Sequence, residues 1–368
     1  VDLSTTSLND VAFGSFLEKS MFIITDGYYA YTSLDGETWD MVDMSFSGGF
    51  AEALEFGEGR CVAVGLGVAG YSDDGVNWTQ VPIERLGSVI HCYSLAYGNG
   101  KFVAGTGRNV AISEDGISWT EVETTLTNSA YSITKPYTQY LSFADGLFFA
   151  SYGDFYFTST DGVEYTMYSM SEESRSSSSR LGMGVGDILV ATGRYGQLMV
   201  SWDDCETWEE RIPDSPYYIH DYFHDGSVQI FTGEMLAWHS DFVSVSQGMI
   251  VTSAGGSSLK RYNLIPYDPD WIRVEGRIYS AAGNGQVYIA VGGEDYSRVW
   301  LANEIAYRSV IFISDDAGAW YVVECSVPYM LRDIVYSPTA VLFAAVGSGT
   351  DGGIILTSTD GENWSAIY

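Results

Sequence analysis

"SEDGISW", residues 113–119, has near-copies in "SDDGVNW" at 72–78 and "STDGENW" at 358–364. The full set of copies carries Ser33, Asp35, Gly36 and Trp39; Ser72, Asp74, Gly75 and Trp78; Ser113, Asp115, Gly116 and Trp119; Ser159, Asp161, Gly162 and Tyr165. It continues with Ser201, Asp203 and Trp208; Ser314, Asp316, Gly318 and Trp320; and Ser358, Asp360, Gly361 and Trp364. Successive serines stand 39, 41, 46, 42, 113 and 44 residues apart. The long gap has room for one degenerate unit around Ser253, in "MIVTSAGGSSLKRY", which brings the count to eight.

Upstream of each box the pattern repeats as well. Unit 3 reads "CYSLAYGNG", "KFVAGTG", "NVAISEDG" and "ISWTEVE". Short β-branched and aromatic runs separated by Gly, Asn and Asp turns predict four antiparallel strands per unit, and no segment sustains a helical period. Such units repeated in sequence predict an all-β chain, a β-propeller of four-stranded antiparallel blades, with eight units and seven as the alternative. One propeller domain then covers residues 1–368.

The box falls where strands three and four must turn. Gly takes the positive φ of a tight hairpin, Asp and Ser accept hydrogen bonds from the turn's amides, and the Trp starts strand four with a large buried ring. A catalytic role needs convergence, and copies on separate blades cannot share one site. The boxes are therefore expected to clamp hairpins, with calcium at these acidic turns as a minor exception.

The box resembles the Asp-box, or bacterial neuraminidase repeat, of sialidases, xyloglucan hydrolases, sortilin-type receptors and many bacteriophage virion proteins. "SWDDCETW", with Cys205 in the Gly place, has the length of the usual S-x-D-x-G-x-T-W form; the others are mostly one residue shorter. The resemblance implies a propeller and leaves activity open, because these propellers host unrelated functions.

Composition narrows the partners. The chain is 46% hydrophobic and 15% aromatic, enough for a large core. Its net charge is −31, from 17 Lys and Arg against 48 Asp and Glu, so nucleic acid and anionic membrane are not expected partners. No apolar run is long enough to span a membrane. Cys61, Cys92, Cys205 and Cys325 have no metal-ligand spacing and are expected to be buried free thiols, folded in a reducing cytosol. The first ten residues, "VDLSTTSLND", lack a signal-peptide pattern and an initiator Met, as expected of a processed or trimmed end.

An enzyme reading is weaker than a binding one. Sialidases use three arginines, a Tyr nucleophile and an Asp acid/base, with an early R-I-P-type motif; here the sole "RIP" is at Arg211, and no Arg precedes Arg60. Arg180, Arg277 and Arg332 do stand near the starts of first strands, where they approach a central channel. His91, His220, His224 and His239 form no triad with a Ser elbow, and the 41 glycines are assigned to hairpin turns rather than to nucleotide loops.

Loop lengths are more informative. Links between strands 1 and 2, and the boxes, are short. Insertions collect in the other links, at 122–139, 171–180, 233–248, 264–276 and 292–309, all of which belong to one face. They carry Trp238, His239, Tyr267, Trp271, Tyr296, Trp300 and Tyr307. Aromatic planes beside polar groups suit a glycan or protein surface. The expectation is a non-enzymatic recognition or structural propeller. By resemblance it is a phage virion component (tail fibre, receptor-binding tip or capsid decoration), extracellular in its working state, with a homo-oligomer as a further expectation. Its partner would be a host surface glycan or another virion protein, with no cofactor. A secreted sialidase-like or glucan-cleaving hydrolase is the alternative.

Overall fold

The structure is a computed structural model. It describes all residues except 1–7, 9, 17–18, 37, 85–89, 129–132, 145, 153–154, 170–188, 193–197, 202–208, 213–216, 225–227, 239–243, 255–258, 264–273, 298–304, 318, 324, 326, 350–351 and 368. Side chains of 84, 144, 151–152, 169–276 and 294–307 are also outside the description.

The described residues form antiparallel sheets that follow the sequence units. Unit 1 comprises Asp10–Ser15, Ser20–Thr25, Tyr29–Ser33 and Asp40–Asp43, and unit 2 Phe50–Gly57, Arg60–Leu66, Val68–Ser72 and Trp78–Val81. Unit 3 (Ser94–Gly98 to Trp119–Val122) and unit 4 (Leu141–Ala144 to Glu164–Ser169) each gain a fifth, parallel strand from the preceding link: Ile83–Glu84 and Thr125–Leu126. Unit 5 shows three strands between Leu189 and Ile212. Units 6 and 7, from Tyr217 to Val323, join in one eight-stranded sheet, and unit 8 runs from Tyr329–Ser337 to Ser365–Ile367. Strands pair in sequence order within each unit, and first strands of neighbouring units lie against one another: Asp10–Ser15 on Phe50–Gly57, Phe50–Gly57 on Ser94–Gly98, Val274–Gly283 on Tyr329–Ser337. This is the β-propeller arrangement, with first strands innermost.

Each described box sits in the predicted hairpin between strands three and four. In unit 3 the Ser113 hydroxyl donates to Asp115 Oδ1 at 3.0 Å, and the same oxygen accepts the N–H groups of Ile117 and Ser118 at 2.8 and 2.7 Å. Trp119 Nε1 donates to the Gly116 carbonyl at 3.0 Å. Boxes 1 and 8 repeat the indole bond, whereas Trp78 and Trp320 leave their indole N–H without a partner. In unit 7 the left-handed position belongs to Ala317, at φ 52°; the sequence reading had placed the glycine at Gly318, which lies outside the described residues. The box is counted from its Ser, and Ala317 occupies the slot that Gly36 fills in unit 1.

The boxes also do something the sequence did not reveal. Each described box glycine lies against the second strand of the preceding unit. A Cβ added at Gly116 would stand 2.6 Å from Val62, at Gly162 2.7 Å from Val103, and at Gly361 2.8 Å from Ile289. Gly75 packs the same way on Met21, and Gly36 of unit 1 packs on Leu342 of unit 8. The ring therefore closes through the contact seen at the other described box glycines, reinforced by one core in which Leu8, Val11, Phe22, Ile24, Tyr31 and Trp39 meet Leu342, Ala344, Val346 and Ile355. Among the described residues no strand is shared across that seam, and apolar packing joins it.

Among the described cysteines, Cys61 and Cys92 are buried free thiols, while Cys325 is free but only half-buried. Among the described residues no helix is long and apolar enough to cross a membrane.

Candidate functional site

The first strands are not regular. In units 2, 6, 7 and 8 the register slips by one residue near the strand start, at Glu52, His220, Tyr279 and Arg332. The residue before each slip pairs with a glycine: Ala51 with Gly65, Ile219 with Gly233, Ile278 with Gly292, Leu331 with Gly347. A Cβ at Gly65 would overlap the Phe50 carbonyl oxygen; at Gly292 it would overlap that of Arg277, and at Gly347 that of Met330. These glycines lie inside second strands, which corrects the assignment of the chain's glycines to hairpin turns. They are glycines because the bulged strand brings backbone where a side chain would be. Each bulge sets its extra residue at the rim that carries the strand 2–3 turns and the links between units, the insertion-rich rim.

Above units 2 and 3 this rim holds a polar aromatic cluster. His91 Nε2 lies 2.6 Å from Glu52 Oε1, both side chains less than a third exposed, and the His91 ring packs on Tyr93 with centroids 3.9 Å apart and the planes tilted by 31°. The link containing His91 is fixed by Gly67 N–H to Ile90 carbonyl at 2.7 Å and Cys92 N–H to Gly65 carbonyl at 3.1 Å. Next to Tyr93 comes Gly107, then Arg108, whose guanidinium lies 4.7 Å over the Tyr137 ring and donates to its hydroxyl. Tyr140 is 42% exposed on the same segment. An adjacent cavity of about 470 Å³ is lined by Ala69, Gln80, Val81, Pro82, Ile83 and Ile90.

On units 7 and 8 the predicted Arg277 and Arg332 come together on one tyrosine. Arg277 donates to the Tyr279 hydroxyl at 3.3 Å, and Arg332 lies 4.5 Å over its ring. Ser280 donates to Asp333 Oδ1 at 2.8 Å, which ties the two first strands together.

Trp238 ends a strand, Val228–Trp238, paired with Ser244–Ala254; Tyr296 and Tyr307 lie in Tyr288–Ser297 and Ile305–Ser314. The stretches 233–248 and 292–309, expected as loops, are thus strand extensions that lengthen the 2–3 hairpins of units 6 and 7 to ten or eleven residues a side. Alternation in "VSVSQGMIV" supports pairing. Asp295 faces Tyr307 and Tyr296 faces Ala306 in the register, which puts the two tyrosines on neighbouring positions. Arg180, His239, Tyr267, Trp271 and Trp300 lie outside the described residues, as do Asp203 and Trp208 of box 5; Ser201 ends the strand Leu198–Ser201. Sequence reasoning missed Glu52, Tyr93, Arg108, Tyr137 and Tyr279; the strand-2 glycine in "VAVGLG", which faces the bulge at Glu52, was the available signal for Glu52.

Deeper between units 1 and 2, two carboxyls approach one another. Asp10 Oδ2 accepts the Leu54 N–H at 2.9 Å, and Glu55 accepts the Phe56 N–H at 3.0 Å. Burial pushes the Glu55 carboxyl up to about 7, the Phe56 bond opposes this, and the Asp10 charge adds to the rise. Burial raises Asp10 as well. The box aspartates go the other way. The Ser118 N–H leads in holding Asp115 at about 2, and Asp74, despite the opposing effect of burial, is taken to about 2 by bonds from Asn77, Val76 and Ser72. A raised carboxyl contributes stability that is complete below its unfolded value, 4.5 for Glu55, and lost as pH rises toward 7. The lowered aspartates contribute above pH 4 or so, and that is lost as pH falls toward 2. Urea unfolding should therefore show a gain of about 2–3 kcal/mol from Glu55 between pH 8 and pH 5. Glu55→Gln should remove that part of the difference; an unchanged difference would contradict the burial of Glu55.

Among the described residues no group of three or more His, Cys, Asp or Glu side chains is gathered as a metal site.

The class of the fold is clear from this geometry: four-stranded antiparallel sheets around an axis, a β-propeller. Solved structures similar to this chain include a streptogramin B lyase, 9% identical with TM-score 0.57, covering 97% of this chain and 95% of that one. The computationally designed Ika8 protein is 11% identical with TM-score 0.63, covering 96% and 97%. YCF48 bound to a D1 peptide is 17% identical with TM-score 0.54, covering 79% and 90%. At these identities the likeness is one of fold. No protein-family model matches the chain, and no curated protein does.

Proposed function

We propose that this chain is a non-enzymatic recognition propeller of eight units, a phage virion component that binds a host glycan or another virion protein through its insertion-rich rim. The observation that carries the reading is the division between the two rims. One is made of short turns and boxes whose polar groups are spent on their own backbone. The other gathers the bulges, the extended hairpins and the clusters around Tyr93, Arg108 and Tyr279. Ligand-facing chemistry on a rigid scaffold belongs on such a rim. The virion assignment rests on the Asp-box resemblance.

The test is a glycan-array screen, with each hit incubated and examined by mass spectrometry. Binding without cleavage is the expected result. A hydrolase reading draws on one observation, the Asp10 and Glu55 carboxyls, since a carboxyl raised to about 7 suits proton transfer at neutral pH. Cleavage of a hit, lost in Glu55→Gln, would replace the recognition reading with that one.

A further inference from the structure

The chain has 17 Lys and Arg against 48 Asp and Glu, and two of the described cations pair with carboxylates. Arg60 has Asp73 at 3.0 Å, and Lys135 has Glu123 at 3.6 Å. Arg108 is exposed and has no carboxylate partner among the described residues. It is nonetheless held. Its guanidinium lies 4.7 Å over the Tyr137 ring and donates to the Tyr137 hydroxyl, while its own carbonyl accepts from Thr124 Oγ1 at 2.7 Å. The Tyr137 segment is itself pinned: Thr138 N–H donates to the Gly107 carbonyl at 2.9 Å, and Thr138 Oγ1 to the Asn109 carbonyl at 2.6 Å. A guanidinium fixed in this way has its remaining N–H groups pre-set for a planar anion.

Across Gly107 lies Tyr93, 38% exposed and backed by His91, with the Glu52 carboxylate beyond. An aromatic face flanked by carboxylate and imidazole edges suits a ring with an apolar C–H side and a rim of hydroxyls. We propose that the rim above units 2 and 3 binds an acidic pyranose, its carboxylate on Arg108 and its ring against Tyr93. This rests on the recognition reading above and names the ligand class for it.

The experiment is titration calorimetry of the full chain with a hexuronic acid tetrasaccharide and with the same tetrasaccharide after its carboxyls are reduced to neutral alcohols. The acid form should bind at least tenfold more tightly. Arg108→Gln should abolish that preference without lowering the melting temperature, and Tyr137→Phe, which frees the guanidinium from one bond, should reduce it. Tyr93→Ala should weaken both forms. Lys19→Gln, on the opposite rim, should change nothing. Equal binding of the two forms, indifference to Arg108→Gln, or displacement by inorganic phosphate at matched concentration would each overturn the proposal. Array hits on neutral glycans alongside such a failure would leave the recognition reading standing; silence of both the array and the titration would overturn both.

Discussion

Removing residues 358–368 should unfold the whole ring at a lower temperature, not fray unit 8 alone. The segment carries the last box and the outer strand Ser365–Ile367. Gly361 packs on Ile289 and Ile313 of unit 7, and Ile367 packs on the core that unit 8 shares with unit 1. Trp364 packs on the core that unit 8 shares with unit 7. Truncation therefore opens the last unit toward both neighbours. Losing a half-buried Trp, an Ile and the box contact costs about 5 kcal/mol. For a chain of this size that lowers the melting temperature by about 5–10 °C. Hydrogen exchange should show the effect at a distance, with Ile23 and Ile24 in unit 1 losing protection. A truncated chain with the full-length melting temperature, or with unit 1 protection intact, would refute closure by packing.

Gly65→Ala should be among the most damaging single methyl additions in the described part of the chain. Its φ is ordinary, so no conformational penalty applies, yet the new Cβ would meet the Phe50 carbonyl oxygen and, 2.8 Å away, the Glu52 amide nitrogen. These are backbone atoms that cannot rotate aside. Overpacking of this kind costs about 3 kcal/mol or more, and relief requires flattening the bulge that presents Glu52. Gly100→Ala is the control. That residue has φ 73° and nothing within 4 Å of an added Cβ, so it carries only the left-handed penalty, about 1 kcal/mol. Chemical denaturation of the two variants should separate them by about 2 kcal/mol. Equal losses, or a larger loss at Gly100, would mean that the strand-2 glycines are not there to make room for a bulge.

The two predictions mark where sequence reading reaches its end. The box was legible because its chemistry is local: Ser, Asp, Gly and Trp act on one another within seven residues, and the spacing is the mechanism. Its second task, pressing Gly36 on Leu342 or Gly116 on Val62, joins residues in different units and leaves no mark in either strand. Gly65 reads as one more turn glycine until the bulge opposite is seen. The hairpins of units 6 and 7 read as loops because Gly233 and Gly292, which face bulges, interrupt strands that then continue past them. Unit 7 also shows tolerance: Ala317 holds a left-handed conformation that the pattern reserves for glycine, at a cost of roughly 1 kcal/mol. On the site, Arg277 and Arg332 were found from their place near strand starts, whereas the Tyr279 that unites them sits on a bulge no spacing rule shows.

The division of labour between the rims is tested most directly by repeating the array screen with variants from each side. Tyr93→Ala, Tyr140→Ala and Trp238→Ala sample the insertion-rich rim; Leu34→Ala and Val76→Ala, both exposed in box turns, sample the other. The account predicts that hits fall away with the first group and persist with the second. Hits lost with Leu34→Ala or Val76→Ala, and kept by all three aromatic variants, would place recognition on the boxes and contradict it.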